Sequence, residues 1–324
     1  MTGPYAVMYA GDPLNPASFE SNFQAVADAN WHTIYLKFVH VANADSKPRL
    51  PIGGLTFNGD AFFSGGKIHD YNGQPNFADW SNTLLKLKKD GSVKEIYLSV
   101  GGGSGTKPNE QVIDFTTIHG IYTAHGNSFK NTELETNFKA LRDSFQSIGG
   151  TPLIDGIDMD CEDGYTYKDS FIAFCELISE LNWKISVAPY MEMEDFWIPV
   201  LQALKGKVQR INLQSGALDA ANWVAQFQKA GINIDDYVLG DLARFWGNNS
   251  WFGECPDDVK AYLQGRSKGI TSVVTGGFIY DMDWIVSPDR NHQPPCSVGD
   301  GYPTMKQYAD AIRAGLAQEV LTSR

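Results

Sequence analysis

Eight apolar, β-rich runs recur along the chain, and helical patterns separate them. The runs are Tyr5–Ala10, Thr33–Val41, Glu95–Val100, Ile154–Asp160, Lys184–Ala188, Val208–Leu213, Tyr237–Leu239 and Ser272–Tyr280. Several are continuously apolar, which is typical of strands covered on both faces. Strand and helix alternating in this way over 324 residues predict an α/β fold, the (β/α)8 TIM barrel, with a doubly wound open sheet as the rival. We favour the barrel because the alternation reaches the C-terminus without a break in composition, and we expect one domain over residues 1–324.

Apolar residues at helical spacing predict the helices between these runs. Asn15 followed by Pro16 has the pattern of an N-cap and a first helical residue. The other predicted helices are marked by Phe138–Ile148, Phe171–Leu181, Leu201, Trp223–Phe227, Tyr262–Leu263 and Met305–Ile312. The stretch Asn43–Trp80 is rich in Gly, Asn, Asp and Pro, and is predicted to be an irregular insertion between the second and third strands.

The charge balance restricts the partners that we expect. Lys and Arg number 26 against 38 Asp and Glu, for a net charge of −12 and a pI near 4.9. An acidic chain without a basic patch argues against nucleic acid and against anionic membranes as partners. No apolar run is long enough to predict a membrane span. The first residues lack a signal-peptide pattern, so the protein is expected to be secreted if a signal was removed and cytoplasmic otherwise.

The run that ends near residue 160 carries acids at alternate positions. Asp158, Asp160 and Glu162 would share one face of a strand and point into the barrel. Buried like charges repel, so we expect at least one of these acids to keep its proton at neutral pH. Glu162 would lie at the C-terminal mouth, where such barrels carry out their chemistry, and a protonated acid there suits cleavage of a glycosidic bond. The residues expected to face outward against helices are Ile157, Met159 and Cys161.

Other interpretations of this acidic run are weaker. A calcium loop starting at Asp158 needs Gly at its sixth position and Glu at its twelfth, where the chain has Asp163 and Asp169. A magnesium site stays open as a minor alternative. The four cysteines match no zinc spacing, and a disulfide between Cys255 and Cys296 is left open. Apart from that magnesium alternative, we expect no metal and no cofactor.

Two motifs resemble those of the glycoside hydrolase family 18 chitinases and their relatives. The family signature DxxDxDxE, at the end of the fourth strand, is met by Asp155, Asp158, Asp160 and Glu162, and the family's SxGG by Ser99–Gly102. The resemblance implies that Glu162 protonates the leaving oxygen while the substrate's own N-acetyl carbonyl attacks the anomeric carbon. It also implies that Asp160 orients the acetamido group and that Asp158 shares a proton with Asp160. Asp155 begins the strand and is predicted to be structural.

The chain departs from the family pattern on its sixth strand. Gln214 resembles the Gln of some relatives, but Gly216 stands where the family has a Tyr that binds the acetamido oxygen. Tyr190, in the segment Ala188–Glu192 that also contains Met191, is a candidate to supply this hydrogen bond. Gln214, Tyr190 and Met191 are predicted to contact substrate.

Aromatic residues late in the chain are predicted to contact sugar rings. Tyr280 aligns with the family's Trp at the end of the eighth strand, and Trp284 is the alternative if that alignment slips. A Tyr can stack on a sugar face with less area than a Trp. Trp246 and Trp251 lie among Asn and Gly in a predicted loop after the seventh strand, and are further candidates.

The resemblance implies a retaining endo-glycosidase that cleaves β-1,4-linked N-acetylglucosamine in chitin or chitooligosaccharides. A first alternative is an endo-β-N-acetylglucosaminidase acting on the chitobiose core of N-glycans. A second is a chitinase-like lectin with weak or no turnover, which the changes at Gly216 and Tyr280 favour and the presence of Glu162 opposes. The expected partner is in each case an oligo- or polysaccharide containing N-acetylglucosamine.

Overall fold

Eight parallel strands form a closed barrel in the described part of the chain. The computed structural model describes residues 4–11, 14–44, 50–58, 61–70, 77–102, 113–190, 194–214, 219–234, 236–242, 244–247, 250–253, 255–286 and 303–317. The barrel strands are β1 (Tyr5–Ala10), β2 (Thr33–Val41), β6 (Glu95–Gly101), β7 (Gly156–Asp160), β8 (Lys184–Val187), β9 (Val208–Leu213), β10 (Tyr237–Leu242) and β13 (Val274–Tyr280).

The pairing of these strands closes the sheet into a ring. Around the barrel the order is β1, β2, β6, β7, β8, β9, β10 and β13, and β13 pairs with β1 again. The (β/α)8 prediction is confirmed, and the open doubly wound sheet is wrong. Strand bounds differ slightly from those expected, since β7 begins at Gly156 and β10 continues to Leu242.

Helices connect and surround the strands. They are α1 (Pro16–Ala29), α2 (Phe77–Lys89), α3 (Asp114–Ala124), α4 (Glu133–Ser144), α5 (Lys168–Glu180), α6 (Glu194–Ala203), α7 (Ala220–Lys229), α8 (Pro256–Arg266), α9 (Met282–Val286) and α10 (Met305–Leu316). The predicted start of α1 is confirmed, because the Asn15 side chain accepts a hydrogen bond from the Ala17 amide at 2.9 Å and Pro16 follows as the first helical residue.

The helix predicted over Phe138–Ile148 ends earlier than expected. Phe145 is already the C-cap of α4, and Ile148 is exposed and pairs with Thr151 in an isolated antiparallel bridge. Gly149 and Gly150 both have positive φ and form the turn between Ile148 and Thr151. Helices α2 and α3 were not predicted at all. Trp31 lies in the short connection between α1 and β2 and is fully buried.

Two segments expected to be irregular contain strands. Between β2 and α2, the strands β3 (Leu55–Phe57), β4 (Ala61–Ser64) and β5 (Lys67–Asp70) form an antiparallel extension of β2. After β10, β11 (Arg244–Gly247) and β12 (Ser250–Gly253) form an antiparallel hairpin where a loop was predicted. Both corrections have one reason: Gly- and Asn-rich composition predicts turns but does not exclude short strands between them.

The core has an outer and an inner part. The outer part lies between strands and helices and includes buried Trp80, Trp197 and Trp223. The inner part lies inside the barrel and consists of Val7, Tyr9, Tyr35, Tyr97, Val238 and Phe278. In the described part of the chain, no helix combines the length and apolarity needed to cross a membrane.

The barrel floor, at the N-terminal ends of the strands, is an ion-paired layer. Arg210 of β9 contacts Glu95 at 2.8 Å and Asp236 at 2.9 Å. Its guanidinium also lies over the rings of Tyr5 and Tyr97. The arginine is 4% exposed, so its charge is buried and compensated within this layer.

Candidate active site at the barrel mouth

Strand β7 separates acids from apolar residues as the alternation predicted. Asp158 and Asp160 are buried inside the barrel, and Glu162 follows the strand with a partly exposed side chain at its C-terminal end. The residues of the other face belong to the outer core: Ile157, Met159 and Cys161. The acids are thus lined up from the barrel interior to the mouth.

Asp158 is the best-anchored acid of the series. Its Oδ2 accepts hydrogen bonds from Tyr9 Oη at 2.8 Å and Ser99 Oγ at 3.2 Å. Its Oδ1 accepts from Ser186 Oγ at 2.6 Å and Asn212 Nδ2 at 2.9 Å. Burial raises the pKa of Asp158, and these four hydrogen bonds oppose that effect because they stabilise the carboxylate.

Asp160 lies two residues after Asp158 on β7, closer to the mouth. Gln214, which follows β9, donates a hydrogen bond from Nε2 to Asp160 Oδ1 at 2.8 Å and contacts the Ala188 carbonyl oxygen at 3.2 Å. Burial raises the pKa of Asp160 well above its usual value, and the nearby charges of Glu162 and Asp158 raise it further. Burial and the neighbouring carboxylates thus favour the neutral form of Asp160.

The pKa of Glu162 is also raised, first by burial. A hydrogen bond with Gln214 opposes this effect, and the charge of Asp163 adds to it. Asp160 and Glu162 form a tightly coupled pair, so a proton stays with the pair at pH values where an isolated carboxyl has lost it. A protonated carboxyl at the mouth of a cleft can donate to the leaving oxygen of a bond held there.

The glycines of the SxGG motif allow a close backbone approach. Gly101 and Gly102 have φ values of 102° and 99°, and the Gly102 amide donates a hydrogen bond to the Asp160 carbonyl oxygen at 2.7 Å. A Cβ built on Gly101 would lie 2.2 Å from that same oxygen. These glycines therefore bring the end of β6 against the backbone of Asp160, as a tight turn requires.

Tyr280 is the last residue of β13, the eighth barrel strand, and packs against the inner part of the core. Its ring lies 5.8 Å from that of Tyr9, with an interplanar angle of 53°. Burial raises the pKa of its hydroxyl well above the usual value, and the charges of Asp281 and Asp160 add to this effect. Lys37 Nζ lies 5.0 Å from the centroid of the same ring.

The structure describes some of the other predicted contact residues in full, some by their backbone alone and some not at all. Tyr190 is half-buried three residues after β8, at the mouth end of the barrel. Trp284 lies in α9, beyond the end of β13, and Trp246 pairs with Trp251 in the register of the β11–β12 hairpin. For these three tryptophans the structure describes the backbone but not the side chain. Met191 and Gly216 lie outside the described residues.

No group of three His, Cys, Asp or Glu side chains suited to a metal ion occurs among the described residues. Both oxygens of Asp158 already accept two hydrogen bonds each, which leaves them poorly placed as ligands for magnesium. Cys161 and Cys175 are free and buried, and Cys255 is disulfide-bonded. Cys296 lies outside the described residues.

Asp155 sits apart from the other acids of the signature. It precedes β7, forms an ion pair with Lys88, and accepts a hydrogen bond from the Ile96 amide at 2.8 Å. These contacts join the start of β7 to α2 and β6. The expectation that Asp155 is structural agrees with this position, far from the mouth.

Sequence reasoning missed the partners of Asp158 on strands other than β6. Tyr9, Ser186 and Asn212 come from β1, β8 and β9. Lys37 of β2 was also missed, although a lysine inside an otherwise apolar strand is a signal that could have identified it.

Comparison with known proteins supports the fold. No family model and no curated protein matches the chain. Among solved structures, the GH18 chitinase ChiB from the chitin utilization locus of Flavobacterium johnsoniae is similar with a TM-score of 0.57 and 10% identity, over 96% of this chain and 94% of that chain. Human YKL-39, a pseudo-chitinase with retained chitooligosaccharide binding, is similar with a TM-score of 0.56 and 12% identity, over 95% and 99%.

An endo-1,4-β-mannanase from Rhizomucor miehei is also similar, with a TM-score of 0.53 and 9% identity over 97% of this chain and 95% of that chain. Identities this low show a shared fold and no more. The chain has the (β/α)8 barrel that these glycosidases share with a chitinase-like binding protein.

Proposed function

We propose that the chain is a retaining endo-glycosidase that cleaves β-1,4 linkages of N-acetylglucosamine in chitin or chitooligosaccharides. The observation that carries this proposal is the row of acids Asp158, Asp160 and Glu162, running from a hydrogen-bonded interior position to the barrel mouth. The family resemblance of the motif and the barrel fold shared with a GH18 chitinase support it. Residues 1–324 act as one catalytic barrel in this proposal.

In the proposed reaction, Glu162 donates its proton to the leaving glycosidic oxygen. The carbonyl oxygen of the substrate's N-acetyl group attacks the anomeric carbon, and an oxazolinium ion forms as the glycosidic bond breaks. Glu162, now a carboxylate, takes a proton from the water that opens this ring, and the configuration is retained. The raised pKa of Glu162 supports its role as the proton donor.

Asp160 orients the acetamido group in this mechanism. Its single described side-chain hydrogen bond comes from Gln214, so its other oxygen is available to the acetamido nitrogen. Asp158 stabilises Asp160 from the interior side of the barrel, and the two share a proton as charge develops on the oxazolinium. Tyr280 and Tyr190 contact the sugar at the mouth, with Met191, Trp246, Trp251 and Trp284 as further contacts.

The test is mass spectrometry of the protein incubated with the N-acetylglucosamine hexamer, beside Glu162→Gln. The wild type should release shorter oligomers, and Glu162→Gln should lose turnover by about 1,000-fold or more because the proton donor is gone. Isothermal titration calorimetry should show that the variant still binds the hexamer. Glu176→Gln is the matched control, because Glu176 lies on α5 and pairs with Lys207 on the surface.

An intact hexamer with the wild type would overturn the chitooligosaccharide proposal. A glycoprotein carrying N-glycans is then the next substrate, since an endo-β-N-acetylglucosaminidase would use the same acids. Release of the glycan by the wild type but not by Glu162→Gln would support that alternative.

A lectin is the second candidate, and the sequence change at Gly216 favours it. A pseudo-chitinase with the same barrel is described as retaining chitooligosaccharide binding, so binding without turnover is compatible with the fold. Equal binding of the hexamer by wild type and Glu162→Gln, with no cleavage by either, would establish this function.

A further inference from the structure

Lys37 is a charged residue at the barrel mouth that the proposed reaction does not use. It lies on β2 two positions after Tyr35, a member of the inner core, and its side chain is only 13% exposed. A buried ammonium is costly unless opposite charges and hydrogen bonds compensate it.

Two carboxylates hold the ammonium at the end of β13. Lys37 Nζ pairs with Asp281, which directly follows that strand, and with Asp283 of α9 at 2.7 Å. Burial lowers the pKa of Lys37, but the two carboxylates outweigh this effect and raise it, so the lysine is charged. Asp281 is almost completely buried, which makes the pair part of the barrel and not a surface contact.

The lysine reaches its partners by crossing the end of β1. Strand β1 lies between β2 and β13 in the barrel. A Cβ built on Gly11, just after β1, would lie 3.0 Å from Lys37 Cε and 3.4 Å from Cγ. The absence of a side chain at Gly11 thus leaves the space through which Lys37 passes.

The path brings the ammonium next to Tyr280. Lys37 Nζ lies 5.0 Å from the centroid of its ring, within the range of a cation–π interaction. Asp281, which fixes the ammonium, is the next residue in the chain. The ring is thus held from its backbone side and by the cation together.

We propose that Lys37, fixed by Asp281 and Asp283, is a positioning residue that holds the ring of Tyr280 as the platform on which a sugar stacks. This inference rests on the proposed function, because it assigns Tyr280 to the sugar site. It predicts that Lys37 controls binding of the sugar and not the proton transfer by Glu162.

The binding test uses Lys37→Met, which keeps most of the stem and removes the charge. Measured by calorimetry with the hexamer in a Glu162→Gln background, affinity should fall about tenfold. Lys37→Arg restores the charge and should stay within about threefold of the parent. In the active protein, Lys37→Met should raise KM with kcat nearly unchanged, and the pH dependence of kcat/KM should keep its alkaline limb.

Two further variants separate positioning from a general loss of stability. Lys86→Met is the matched control: Lys86 pairs with Glu20 at 2.8 Å and lies over the Phe23 ring, but on the outside of the barrel. It should leave hexamer affinity unchanged. Gly11→Ala keeps the charge but displaces the stem of Lys37, so it should weaken binding in the same direction as Lys37→Met.

A crystal structure of Lys37→Met without ligand shows the position of the Tyr280 ring directly. The proposal expects the Tyr280 ring to shift or to lose its single orientation. An unmoved ring, or unchanged hexamer affinity in a protein that binds the hexamer, would overturn the role of Lys37 and leave the glycosidase proposal intact. A wild type that neither binds nor cleaves the hexamer would instead overturn the glycosidase proposal, while the ring position still decides the role of Lys37.

Discussion

The α-carbon of Gly101 lies so close to Asp160 that a Cβ at this position would be 2.2 Å from the Asp160 carbonyl oxygen. Strand β6 and strand β7 therefore meet at the mouth through a contact that only glycine permits. The position of Asp160, and with it the spacing of the acids, depends on this contact.

Gly101→Ala is expected to destabilise the protein by about 3 kcal/mol or more, because a backbone clash adds to an unfavourable φ. Urea unfolding followed by circular dichroism measures this loss. Gly269→Ala is the control, since Gly269 has a φ of 85° with nothing within 4 Å of its Cβ, and it should cost only about 1 kcal/mol. Equal losses in the two variants would contradict the proposed clash.

Asp160→Asn should make stability less dependent on pH. The raised pKa of Asp160 means that the folded state binds more protons than the unfolded chain, whose Asp groups titrate near ~4. The free energy of unfolding therefore falls as pH rises from ~4 through the raised pKa. Below ~4 the contribution of Asp160 to stability is fully present.

The measurement for this prediction is urea unfolding of wild type and Asp160→Asn at several pH values from 4 to 9. The free energy of the variant relative to the wild type should increase with pH, because the variant has no charge to bury. A constant difference across the range would show that Asp160 titrates normally. Asp143→Asn, an exposed substitution on α4, serves as the control.

Gln214→Met should move the alkaline limb of kcat/KM to higher pH. The Gln214 side chain donates to Asp160 and its hydrogen bond lowers the pKa of Glu162, so its removal raises the pKa of the proposed acid. Rates of hexamer cleavage across the pH range measure the limb. Gln202→Met is the matched control, because Gln202 bonds the Ala230 carbonyl on the outside of the barrel. A limb that moves to lower pH would contradict the prediction.

Arg210→Met should destabilise the barrel floor without changing the proposed site. It leaves the partly buried carboxylates of Glu95 and Asp236 without their shared partner, at a cost of about 3 kcal/mol. Lys207→Met removes a surface pair with Glu176 and should cost less than about 1 kcal/mol. Thermal unfolding compares the two variants. A loss of kcat in folded Arg210→Met would show that floor and mouth are coupled.

The barrel strands could be predicted because apolar, β-rich runs recur between helical patterns, several of them continuously apolar. The alternation of Asp158 and Asp160 with Ile157 and Met159 also predicted correctly which residues face inward. Those predictions need only the local period of a strand.

The remaining features depend on which strands become neighbours. Ser186 and Asn212 reach Asp158 because β8 pairs with β7 and β9 pairs with β8. The register of these pairings cannot be predicted from the local sequence pattern of any one strand. Lys37 reaches Asp281 across β1 for the same reason. The strands β3–β5 were missed because their Gly-rich turns dominate the composition of that segment.

The four hydrogen bonds to Asp158 come from β1, β6, β8 and β9, so one carboxylate ties four strands to its own. A mutation at Asp158 therefore harms folding as well as any reaction. Glu162, beyond the end of β7, is not part of this hydrogen-bonded connection between strands. If the chain is the proposed glycosidase, replacing Glu162 would end turnover at little cost to the fold, whereas replacing Asp158 would also weaken the barrel. The proposed proton donor is thus the acid of this series that the architecture needs least.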